Sequence, residues 1–126
     1  MRFEHFALNV PDARAHGEWL VEHLGFSLVR SMDTAPFTRF LADDSGQVVV
    51  ELYTNPAARC LDFGQLGPLE FHFALVSANA NADQKRLETA GATLVEAQVL
   101  GDGSRLTMMR DPWGVAVQLC QRARPF

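Results

Sequence analysis

His5, Glu51, His72 and Gln118 are the side chains of this 126-residue chain whose types and spacing point to chemistry. His5 stands 46 residues before Glu51, and His72 stands 46 residues before Gln118. Each lies in an otherwise apolar, strand-like stretch: "EHFAL", "VVVELY", "FHFAL" and "AVQLC". A carboxylate inside such a strand must meet solvent, be protonated, be paired or bind a cation, because a lone buried charge is strongly disfavoured. Two imidazoles, one carboxylate and one amide oxygen form a sensible donor set for a divalent transition metal, with positions left for water or two adjacent substrate oxygens. A closed tetrahedral zinc would instead be structural. Taken singly, a strand histidine is more often an ordinary hydrogen-bonded residue, and a strand glutamate more often faces water. Two matched pairs at one spacing are harder to assign to accident.

The elements that must position these residues repeat. Residues 2–9 alternate as a strand does, and "PDARAHGEWLVEHLGF" reads as a helix with Asp12 as N-cap, an apolar stripe of Trp19, Leu20 and Leu24, and Gly25 as its stop. Strand candidates follow at "SLVRSM", "FTRFLAD" and "QVVVELYT", the last two separated by the turn-forming "DDSG". The second half runs through "LEFHFALV", a helix in "NADQKRLETAG" capped by Asn81 or Asp83 and ended by Gly91, then "ATLVEAQ", "SRLTMMR", the turn "DPWG" and "VAVQLCQ". Both halves therefore read β-α-β-β-β. A slide of 67 residues sets His5 on His72, Val50 on Val117, Glu51 on Gln118 and Leu52 on Leu119, with a single-residue shift needed around Gly25 and Gly91. The stretch "NPAARCLDFGQLGP" suits a crossover between modules.

Strand parity sorts the neighbours. Small residues accompany the chemical ones: Ala7 shares a face with His5, Ala74 with His72, and Ala116 and Cys120 with Gln118. The opposite faces carry Phe6 and Leu8, Val50 and Leu52, and Val117 and Leu119, the sets expected to pack against the helices. Space is thereby left around the polar residues.

Length and composition, 48% apolar and 21% charged, suit a single soluble domain with enough core to fold without disulfides or a structural metal. A net charge of -4 with scattered arginines disfavours nucleic-acid binding. No long apolar run or signal-like start is present, so no membrane association and a cytoplasmic location are expected. Cys60 and Cys120 lack metal-type spacing and read as unpaired thiols.

On "EHFALNV", "HLGFSLV", "VVVELY", "FHFALV" and "DPWGVAVQL", covering nearly the whole chain, the sequence resembles the vicinal oxygen chelate superfamily, the group of glyoxalases, bleomycin-resistance proteins and ring-cleaving dioxygenases. The resemblance implies an α+β fold of two tandem βαβββ modules forming a cupped, open mixed β-sheet barrel with helices on the outside. One domain would span residues 1–126, with module 1 at about 1–55, a crossover at 56–68 and module 2 at about 69–123. Family ligand positions carry over to His5, Glu51, His72 and Gln118, and imply one divalent metal ion: nickel, zinc, iron, manganese or cobalt. The ligand order is most similar to glyoxalase I, a lyase/isomerase acting on the glutathione hemithioacetal of methylglyoxal. The metal would bind vicinal oxygens of a small substrate, and a proton would shuttle through an enediolate. Glyoxalase I has glutamate where this chain has Gln118, and an amide is no useful proton acceptor near neutral pH, so Glu51 would be the catalytic base.

Arg39 and Arg105 are expected to contact an anionic substrate arm, Tyr53 to orient Glu51, and Trp113 to offer a stacking surface. His16 and His23, on the first helix, are expected to be solvated. The resemblance also implies a homodimer, with module pairing within or between chains. Two other readings fit the same residues: a non-heme Fe(II) dioxygenase using His5, His72 and Glu51, and a non-catalytic small-molecule-binding protein of the bleomycin-resistance kind.

Overall fold

The computed structural model describes residues 1–126, and the chain divides into two compact units, Met1–Leu61 and Asp62–Phe126. The first holds β1 (Phe6–Asn9), α1 (Ala13–Leu24), β2 (Ser27–Ser31), β3 (Arg39–Ala42) and β4 (Val48–Tyr53). The second holds β5 (Phe73–Val76), α2 (Ala80–Thr89), β6 (Thr93–Val99), β7 (Arg105–Arg110) and β8 (Ala116–Gln121). The fold is α+β, built from two tandem βαβββ modules, each an open four-stranded mixed sheet with one helix.

The sheets are ordered β1-β4-β3-β2 and β5-β8-β7-β6. In each, the first strand pairs parallel with the last and the other pairings are antiparallel. Parallel neighbours require a crossover. Here the crossover comprises the helix and two strands of the module, which accounts for the long, equal spacing within each residue pair.

Helix α1 starts where Asp12 accepts hydrogen bonds from Arg14 and Ala15 N–H, and ends at Gly25 in the left-handed conformation, φ 75°. Its packed face carries Trp19 and Leu20, and the sheet answers with Leu8, Val50 and Leu52, all buried. His16 also belongs to this buried face, at 1% exposure, contrary to the expectation that it is solvated: it lies one helical turn before Leu20 and faces the sheet with it. Helix α2 is capped by Asn79 rather than by Asn81 or Asp83. Asp83 falls in the first turn instead, accepting from Ser77 Oγ at 2.6 Å and from Arg86 at 3.0 Å. Val117 and Leu119 are buried, as is Leu87 of the helix.

Side-chain hydrogen bonds brace the last hairpin turn of each module. Between β3 and β4, Asp43 accepts from Ser45 N–H and Oγ. Between β7 and β8, the Asp111 carboxylate accepts from Trp113 N–H and Val115 N–H, both at 2.9 Å. Gly114 in this turn has φ 84° and lies against the backbone of Gly64, where an added Cβ would come within 2.6 Å of the Gly64 nitrogen. Gly46 has a similar φ of 80° but open space around it. Gly46→Ala should therefore cost about 1 kcal/mol of backbone strain, whereas Gly114→Ala should cost about 2 kcal/mol or more because the strain is joined by a backbone clash. Urea unfolding of both variants measures the difference; equal losses would show that the approach to Gly64 is unimportant.

Candidate functional site

Both histidines stand one residue before their strands, His5 ahead of β1 and His72 ahead of β5, so the strands begin later than the alternating pattern implies. The parallel register sets Ala7 beside Glu51 and Ala74 beside Gln118. Each histidine stands two residues before that alanine, and in the first unit this brings His5 to Glu51.

In the first unit His5 and Glu51 meet: Nε2 lies 3.1 Å from Glu51 Oε2. The other ring nitrogen, Nδ1, contacts the carboxylate of Glu4. Phe40 lies edge-on to the imidazole, with ring centroids 5.7 Å apart. A carboxylate on the far nitrogen fixes the ring's orientation. Two donors bonded to one ion at about 2.1 Å and at a right angle stand roughly 3 Å apart, so the separation of His5 and Glu51 fits a shared metal.

In the second unit, His72 Nδ1 donates to the Pro68 carbonyl at 2.7 Å. A carbonyl only accepts, so that nitrogen carries a proton and Nε2 keeps its lone pair in the neutral ring. Gln118 is half-buried, and its Oε1 accepts from the Cys120 thiol at 3.3 Å. No cluster of three or more His, Cys, Asp or Glu side chains able to hold a metal occurs in the structure. The structure brings imidazole and carboxylate together in the first unit, while in the second His72 is bound to Pro68 and Gln118 to Cys120; all four are residue types able to ligate a transition metal.

The candidate substrate contacts are placed unevenly. Arg39 is opposite Leu52 in the register, on the other side of the sheet from Glu51. It is buried near Gly17 of α1, donating from one guanidinium nitrogen to the carbonyls of Met32 at 2.8 Å and Thr38 at 3.2 Å. Strand parity turns Arg39 toward the helix, and Phe40 takes the position beside Glu51. Arg105 is likewise turned away from Gln118. It is paired with Gln121, whose side chain caps the start of α2 through Ala80 N–H. Tyr53 shares the side of Glu51, next to Asn9 in the register, and Trp113 stands in the turn at the end of the sheet from which β8 begins.

Two charged residues on this side escaped the sequence reading. In the first unit Arg30 pairs with Phe40, which pairs with Glu51. In the second unit Glu96 pairs with Met108, which pairs with Gln118. The equivalent edge positions therefore carry opposite charges. Each lies just past a break in register, between Leu28 and Arg30 in β2 and between Leu94 and Glu96 in β6, and a bulge reverses the parity count that would have revealed them. Arg110, also on the Gln118 side, spends its guanidinium on the carbonyls of Phe63, Leu66 and Gly114, at 2.6 to 2.8 Å.

A family model of the Glyoxalase/Bleomycin resistance protein/Dioxygenase superfamily matches residues 2–119. Similar solved structures include a glyoxalase I mutant from Zea mays, at 24% identity and a TM-score of 0.74, covering 98% of this chain and 46% of the maize chain. A lactoylglutathione lyase from Agrobacterium tumefaciens matches at 20% identity and a TM-score of 0.68, over 95% of this chain and 92% of that one. TnmS3, an antibiotic binding protein from a Streptomyces species, matches at 21% identity and a TM-score of 0.70, over 98% and 97%. At these identities the likeness establishes the fold. No curated protein matches the chain.

The two thiols differ in setting: Cys60 is exposed and Cys120 buried. Burial pushes the Cys120 thiol above its ordinary pKa, partly offset by the charge and hydrogen bonding of Arg122. A raised pKa leaves less thiolate at a given pH. A chromogenic disulfide reagent at mildly alkaline pH should therefore titrate Cys60 quickly in the folded protein and Cys120 slowly, the slow phase accelerating as pH rises above the usual thiol range. Two equally fast thiols would contradict this setting for Cys120.

Proposed function

The chain belongs to the glyoxalase/bleomycin resistance protein/dioxygenase superfamily, and from that premise we propose that it is a metal-dependent lyase or isomerase of the glyoxalase I type acting on a small substrate with vicinal oxygens. His5, Glu51, His72 and Gln118 are its metal donors, two from each unit, and Glu51 is its base. The observation that carries this reading is the 3.1 Å approach of His5 Nε2 to Glu51 Oε2, with Glu4 on the opposite ring nitrogen. No helix is long and apolar enough to cross a membrane.

A divalent metal, when bound, polarises vicinal oxygens and makes the adjoining C–H more acidic. The chain's own residues handle the proton. Glu51 Oε2 takes it from carbon and returns it to the neighbouring carbon, since the Gln118 amide cannot accept it near neutral pH. Glu4 holds the His5 ring so that Nε2 is directed at the Glu51 carboxylate, and Phe40 limits tilting of that ring from its edge. The Pro68 carbonyl performs the same orienting task for His72.

Two variants separate the donor role of Glu51 from its role as base. His5→Ala and Glu51→Ala should each lose metal, measured by elemental analysis after reloading. Glu51→Gln keeps an oxygen donor and should retain most of the metal while its hemithioacetal isomerase kcat falls about 10²- to 10⁴-fold. Full metal occupancy in both alanine variants would overturn the ligand assignment. A metal-loaded wild type inactive on hemithioacetals would overturn the glyoxalase I-type reaction and favour the binding or dioxygenase readings.

A further inference from the structure

A cavity of about 450 Å³ opens on the Gln118 side of the second unit's sheet. Its volume falls in the range of small-molecule pockets, roughly 300 to 1,000 Å³. Leu69, Leu106 and Met108 supply apolar wall, while Glu96, Gln98 and Gln118 supply the polar groups. Leu69 is 93% exposed, an apolar side chain that an occupant of the cavity would cover. The cavity is lined by a carboxylate and two amides but by no lysine or arginine.

The carboxylate is held in place. Gln98 donates from Nε2 to Glu96 Oε1 at 2.7 Å, and Oε2 has no protein partner. Cross-strand pairing with Met108 sets Glu96 two strands from Gln118 on the same side of the sheet. Of the nearby arginines, Arg105 is turned to the other side of the sheet, Arg110 is bound to three carbonyls, and Arg122 lies over the Phe126 ring outside the cavity lining. An anionic arm entering this cavity would meet a like charge with no lysine or arginine among the lining residues to offset it. An apolar arm ending in an ammonium group would cover Leu69 and Met108 and place its charge against Glu96.

We propose that this cavity receives the apolar arm of an amine-bearing small molecule, with Glu96 as the counter-charge that selects it. This rests on the metal-site reading only in placing the molecule's reacting end beside Gln118. It names a substrate class that the reaction type leaves open, and the carboxylate-bearing arm of a hemithioacetal would have to lie outside this cavity.

The test uses the full chain with methyl-labelled methionine, so that the Met108 methyl resonance reports occupancy. Phenethylamine and phenylacetate are matched apolar probes of opposite charge. Phenethylamine should shift the Met108 methyl and bind about fivefold more tightly than phenylacetate, the scale expected for one solvent-exposed ion pair. Glu96→Gln should abolish that preference while leaving the Met109 methyl, on the buried side, unchanged as evidence of folding. Equal or tighter binding of phenylacetate, a preference that survives Glu96→Gln, or an unmoved Met108 methyl with both probes would each overturn the proposal. Titration with and without chelator separates the two readings. A chain that prefers the amine but takes up no metal loses the metal-site reading alone, and one that takes up metal without the preference loses this inference alone.

Discussion

Parallel pairing of the first and last strands of each module is the constraint on which everything else depends. It brings together residues that are far apart in sequence, and it does so in a fixed register: Ala7 with Glu51, and Ala74 with Gln118. A shift of one residue would turn Glu51 toward the helix, into the layer occupied by Leu52, and bury an unpaired carboxylate there. The register is held by the opposite face, where Leu8, Val50 and Leu52 are removed from water. Chemistry on one side of the sheet is thus secured by hydrophobic burial on the other.

The buried side is not uniformly apolar. Arg39 lies in it, and Gly17 leaves room for its stem, since an added Cβ would approach Arg39 Cγ to 3.4 Å. A buried cation is tolerable only when its donors are met; here backbone carbonyls of Met32 and Thr38 do so, with Asp33 3.8 Å away. By register the second unit has Thr107 opposite Leu119 where the first has Arg39 opposite Leu52. The duplicated scaffold therefore accepts a guanidinium in one copy and a small hydroxyl side chain in the other without changing the strand order.

Much of this arrangement was legible in the sequence because it depends on alternation and punctuation. The order of elements, the Asp12 cap, the Gly25 stop and the face shared by small residues all follow from local rules. What was not legible depends on tertiary geometry. Arg39 was a candidate for an anionic substrate arm because it lies in a strand near the expected cavity, and its burial against the carbonyls of Met32 and Thr38 depends on its own hairpin. His16 looked solvated because its burial depends on how the helix settles on the sheet. Arg30 and Glu96 were hidden by bulges, where counting by twos fails. The α2 cap was misread because Asn79, Asn81 and Asp83 are all competent caps, and the choice follows from where β5 releases the chain.

The opposite charges at Arg30 and Glu96 also bear on how such a protein diversifies. Both residues sit on exposed edge strands, where a substitution away from special features usually changes stability by no more than about 0.5 kcal/mol. His5, Glu51, His72 and Gln118 and the buried layer beneath them leave far less freedom. After duplication, the two copies can therefore drift apart in charge at their margins while remaining alike in backbone and in donor positions. The edge strands are the adaptable part of this architecture: surface charge can be rewritten there one residue at a time, in a fold that need not be reinvented.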